Sequence, residues 1–151
     1  MALPVTGKVL LDTNVFIDYL RAGVHERWVL GQVGRTVRFL SSVVLMELRL
    51  GADTLPRRRA VDRVRAAFPP SRVIAPTPEI FDRAGVLFRE LFKPGAEPGD
   101  RLGPLNDILI ALTARQIGAT VVSSNRSDFQ RLAAHLSGLS VVDPAPAPAP
   151  W

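Results

Sequence analysis

Short apolar runs alternate with helix-like stretches from Lys8 to Val142, an order that few folds accommodate. Residues 8–11, 36–40, 72–75, 120–123 and 140–142 read as five strands, each a brief apolar run. Helical patterns fill the gaps. One follows Thr13 and Asn14, either of which can cap it, and a second short one spans 25–33. Ser41 or Ser42 caps a third, which runs to Gly51. Residues 57–68 form an amphipathic helix that stops at Pro69-Pro70. Thr77 and Pro78 open the next, Pro104 to Ile117 makes another, and 126–136 the last. Strand–helix alternation of this kind implies right-handed crossovers and a parallel sheet with helices on both faces. Ligands of such sheets lie beyond the carboxyl ends of the strands, so the residues just after each strand carry the information.

The chain has 151 residues, enough for one domain. Hydrophobic residues at 47% and charged ones at 22% provide for a packed core. The absence of cysteine excludes disulfides, thiolate zinc sites, iron–sulfur clusters and thiol catalysis. His25 and His135 share no metal-ligand spacing. No run reaches the ~18 apolar residues of a membrane span, and residues 1–12 lack a secretory pattern, so a cytoplasmic location is expected. The net charge of +5, nearly all from arginine, favours a polyanion or an acidic protein as partner. Residues 93–103, rich in Gly and Pro, read as a loop. The expected domain is residues 1–143, and 144–151 is a Pro/Ala tail, extended or disordered.

Four acids map to the informative ends. Asp12 follows the first strand, and Glu47 lies on the helix after the second. Asp107 is placed in the first turn of the helix leading to the fourth strand, and Asp128 comes shortly after that strand. Like charges ~4 Å apart repel by about 4 kcal/mol at an effective dielectric of about 20, so such a cluster calls for a cation or retained protons. Oxygen-only ligands select Mg²⁺ or Mn²⁺, which serve phosphoryl chemistry. Each acid also has an ordinary reading: Asp12 or Asp128 as a helix cap, Asp107 as a favourable charge at a helix start. Glu47, between Met46 and Leu48 in an apolar helix, is harder to explain without a partner.

These residues resemble the PIN-domain family, and within it the VapC-like ribonuclease toxins of bacterial toxin–antitoxin pairs. LLDTNVFIDYL is similar to the first family motif, and SSVVLMELRLG, with Glu47 and Gly51, to the second. NDILIALTARQIGATVVSSNRSDF is similar to the third and fourth, with Asp107 before an apolar run, then Ser123, Asn125 and Asp128-Phe129. The resemblance covers residues 8–142. It implies a three-layer α/β/α sandwich with a central five-stranded parallel sheet, and Mg²⁺- or Mn²⁺-dependent cleavage of RNA. It also implies a homodimer, and a cognate antitoxin whose C-terminal segment covers the site. Asp12, Glu47, Asp107 and Asp128 are then the catalytic metal ligands, a metal-activated water attacks the phosphodiester, and Thr13, Asn14, Ser123 and Asn125 orient the acids.

Two other functions compete. A phospho-aspartate enzyme would need a second Asp where Asn14 stands and a Lys after a late strand, yet the only lysines are Lys8 and Lys93. A non-catalytic PIN-like module binding RNA or protein would be marked by missing acids, and all four are present. Arg57, Arg58, Arg59, Arg63 and Arg65 crowd one helix, either as a solvated face or as a contact for RNA or antitoxin. Asp18 reads as a surface or ion-paired residue, and Trp28 as core or dimer interface.

Overall fold

The computed structural model describes residues 6–92 and 102–144. Five strands form one parallel sheet: β1 (Thr6–Leu11), β2 (Arg35–Ser41), β3 (Val73–Ile74), β4 (Thr120–Val122) and β5 (Val141–Val142), in the order β3-β2-β1-β4-β5. Helices α1 (Thr13–Ala22) and α2 (Glu26–Val29) join β1 to β2, and α3 (Ser42–Leu50) and α4 (Leu55–Ala66) join β2 to β3. Helices α5 (Pro78–Leu91) and α6 (Leu102–Ile117) lead to β4, and α7 (Arg126–Ala133) leads to β5. The connections step outward from β1 to β3, then cross back to β4 and step outward again. Right-handed crossovers therefore place α1–α4 on one face and α5–α7 on the other, giving the three-layer α/β/α sandwich.

Central β1 ends in fully buried Val9, Leu10 and Leu11, and α6 is buried almost all round from Ile108 to Ala114. A helix apolar on every side is one enclosed by its neighbours, here β1, β4, α5 and α7. Local chemistry sets the boundaries. Asp12, rather than Thr13 or Asn14, caps α1, and Ser41 caps α3 by accepting from the Val43 amide. Thr54 caps α4 and Thr77 caps α5. Gly118, in the left-handed region at φ 71, ends α6. No described helix is long and apolar enough to cross a membrane.

Three expectations shift. The second short helix is one turn only, Glu26–Val29. The third strand has two residues, because a 3-10 turn takes Pro70–Arg72. Helix α6 starts at Leu102, not Pro104, so Gly103 is helical and Asp107 stands beyond the first turn. The rest of the expected loop, 93–101, and residues 145–151 of the tail lie outside the described residues. Pro144 is buried, and its carbonyl accepts a hydrogen bond of 3.0 Å from Trp28 Nε1. Trp28 is thereby core.

Candidate functional site

The chain changes direction in the sheet between β1 and β4, whose ends diverge toward α1 and α7. Crevices form at such switch points. Asp12 leaves β1 here, its amide donating to the Val122 carbonyl at 2.9 Å. Its Oδ1 accepts from the Thr13 amide at 2.8 Å, and its Oδ2 from the Ser123 hydroxyl at 2.9 Å. Ser123 is fully buried and works as a hub. Its oxygen accepts from the Asn125 amide at 3.0 Å and from Asn14 Nδ2 at 3.4 Å, while Asn14 Oδ1 accepts from the Ser124 amide at 3.3 Å. Asn125 Nδ2 then donates to Asp128 Oδ2 at 2.6 Å. A chain of hydrogen bonds thus runs from Asp12 through the Ser123 hydroxyl, the Asn125 amide and the Asn125 side chain to Asp128.

On the other side, Thr13 Oγ1 donates to Glu47 Oε1 at 3.0 Å. Burial raises the Glu47 pKa, opposed by hydrogen bonds from Thr13 and Asn106. Asn106 is buried, and its one signal in the sequence is to stand beside Asp107 in an apolar helix. Asp18 is tied to the same loop, accepting from the Ser124 hydroxyl at 3.2 Å and lying 3.8 Å from His25 Nε2.

The electrostatics bind the four acids together. Burial raises Asp12 to about 6, against the lowering effect of the Ser123 and Thr13 hydrogen bonds and with smaller upward pushes from Glu47 and Asp128. Asp107 is pushed up to about 8, by burial first and then by the charges of Asp12, Glu47 and Asp128. Among the described residues none of the four has an ion-pair partner. Asp107 is too far into α6 for the helix dipole to explain it, since that field fades within the first turn. Among the described residues no three acids or histidines form a ready ligand group for a metal ion. The donor chemistry nevertheless suits one: oxygen donors only, several of them uncompensated carboxylates whose repulsion a divalent cation would relieve.

Two concavities flank these acids. A groove of about 480 Å³ between α1, α3 and α4 is lined by Glu47, Leu48, Ala52 and Val61, with Arg21 and Arg57 beside them. A smaller cleft at the ends of α5, α6 and α7 includes Asp107 and Asp128. In the arginine cluster of α4, Arg57 pairs with Asp53 at 2.7 Å, and Asp62 is taken by Arg49 of α3 at 2.7 Å. Arg58, Arg59 and Arg63 are exposed.

Residues 9–135 match the PIN domain family. The chain belongs to that family. Its fold is similar to solved structures of VapBC and of a further toxin–antitoxin complex. One is DNA-bound VapBC from Salmonella typhimurium, at 26% identity and a TM-score of 0.61, covering 91% of this chain and 98% of that one. A toxin–antitoxin complex from Klebsiella pneumoniae has 23% identity and a TM-score of 0.63, covering 92% and 99%. VapBC-1 from nontypeable Haemophilus influenzae has 20% identity and a TM-score of 0.60, covering 91% and 98%. No curated protein matches the chain. As a PIN domain, it stands in a nuclease family.

Proposed function

We propose that this PIN domain is a Mg²⁺- or Mn²⁺-dependent endoribonuclease, the toxin of a toxin–antitoxin pair, acting in the cytoplasm as a homodimer. One observation carries the reading: acids from four separate segments share one electrostatic site, among the described residues no cationic side chain is paired to them, and Asp107 is raised to about 8 there. Asp12, Glu47, Asp107 and Asp128 would hold the ion. A divalent cation supplies activation of water and neutralisation of charge developing on the phosphate. The protein's own part is orientation. Ser123 and the Thr13 amide fix both oxygens of Asp12, and Asn125 fixes Asp128. Glu47, held through Oε1 by Thr13, is set to orient the attacking water. Residues 1–143 form the nuclease domain, with the tail dispensable for cleavage.

A cognate antitoxin segment of acidic and apolar character fits the groove between α1, α3 and α4. Its acids would meet Arg21 and Arg57, and its bulk would cover Glu47. The deciding experiment incubates purified protein with mixed RNAs in Mg²⁺, Mn²⁺ or excess EDTA. Cleavage is expected with either metal and is abolished by EDTA and by Asp12→Asn. Undiminished cleavage in EDTA overturns the metal mechanism. RNA binding without cleavage under any metal would instead make the chain a non-catalytic binding module.

A further inference from the structure

A narrow cleft of about 110 Å³ opens where the end of α5, the start of α6 and α7 meet. Asp107 and Asp128 stand at its acidic end, and Phe92, Pro104 and Leu132 supply apolar wall. Phe92 is braced by Phe88, with ring centroids 4.8 Å apart. Arg131, three residues after Asp128 on α7, also lines the cleft. Its side chain is exposed, and among the described residues it forms no ion pair with either acid.

Two features identify an occupant. The cleft is continuous with the carboxylates, so a strand whose phosphate lies at the acids must put a neighbouring base nearby. An apolar slot with an aromatic wall is the environment a base favours. A guanidinium that lines the same cleft as two carboxylates, and among the described residues is paired with neither, keeps its forked donors for another anion, and phosphate matches that fork. We propose that this cleft binds the nucleotide next to the scissile phosphate, its base against Phe92 and Leu132 and its phosphate on Arg131. The proposal rests on the nuclease reading and adds the contacts that hold and select one nucleotide. An apolar peptide side chain would satisfy the walls but not Arg131.

The test uses an RNA that the protein cuts, with a single abasic nucleotide placed in turn on either side of the cut bond. One position should lower kcat/KM at least tenfold. Phe92→Ala should lower cleavage of the intact strand by a similar factor and add nothing on that abasic strand. Arg131→Ala should raise KM at least fivefold at low salt with partial recovery in Arg131→Lys, whereas Arg83→Ala, an equal charge loss on α5, should have no effect. Tolerance of every abasic position within twofold overturns the base contact, as does equal damage by Phe92→Ala on intact and abasic strands. Equal effects of Arg131→Ala and Arg83→Ala overturn the phosphate contact. Binding in EDTA separates this from the nuclease reading. A 2-aminopurine oligoribonucleotide should be quenched by the native chain and much less by Phe92→Ala, whether or not RNA is cut. Identical quenching by the two proteins overturns the cleft even if cleavage is real.

Discussion

Asp12 closes the first turn of α1 through Oδ1 and takes the Ser123 hydroxyl through Oδ2, so its capping and site-building roles coexist. Removing the hydroxyl in Ser123→Ala leaves a buried carboxylate oxygen without its donor. That should cost about 1–3 kcal/mol and move the acid limb of cleavage to higher pH, read from a thermal melt and a pH–rate profile. Asp107→Asn should act in the opposite direction on stability. It removes one of four mutually repelling charges, so the metal-free protein should gain ~0.5–2 kcal/mol at pH 8 while cleavage is lost. Asp12 and Asp107 have folded pKa values of about 6 and about 8, above the 3.8 of an ordinary Asp, so the folded protein retains their protons longer than the unfolded chain. Their contribution is full below about pH 4 and is lost as pH rises through those values. Parent and Asp107→Asn should therefore melt alike near pH 4 and separate progressively toward pH 8; a gap independent of pH would refute this. Asp12, Glu47 and Asp128 stand out in the sequence because each lies within about six residues after a strand, whereas Asp107 stands inside α6, far from one. Asn106 does not stand out, because its neighbours in sequence reveal nothing of Glu47, which approaches it only through packing of α3 on α6.

Among the elements, type and order were legible because apolar runs and caps mark them directly: Ser41, Thr77 and Gly118 stand where the pattern put them. The start of α6 was not, because Gly103 reads as the end of a loop and Pro104 as the first helical residue, although a helix can begin ahead of both. Strand order was also hidden, since periodicity does not say that β1 lies between β2 and β4. Periodicity hides the role of Arg38 for a related reason. In the sequence it is one more arginine, yet from β2 it donates to the carbonyls of Trp28, Val29 and Ala67 at 2.8–3.1 Å and lies 4.4 Å over the Phe68 ring. It thus ties α2 and the end of α4 to the sheet. Arg38→Met should cost ~2–4 kcal/mol, because three carbonyls lose a charged donor and the cation–π contact goes. Arg38→Lys should recover less than half, since an ammonium lacks the fork that spans separate carbonyls. Urea unfolding of the three proteins checks both.

At the scale of the molecule, the segment after β5 is tied back to α2. Trp28 holds Pro144, so a chain ending at Pro144 should melt like the full protein, and one ending at Val142 should lose about 1 kcal/mol of stability. Differential scanning calorimetry of the two truncations distinguishes them. The position of β1 in the sheet has a consequence during synthesis. Val9 to Leu11 pair with Thr120 to Val122, and Asp12 takes its second donor from Ser123, across more than a hundred intervening residues. A ribosome emits the chain from its amino end, so β1 can settle on β2 early but lacks its β4 neighbour until late. Asp107 arrives shortly before β4, and Asp128 just after it. A nascent chain therefore carries Asp12 and Glu47 without the rest of their cluster until Asp107 has emerged. The constellation of acids is finished only when Asp128 has followed.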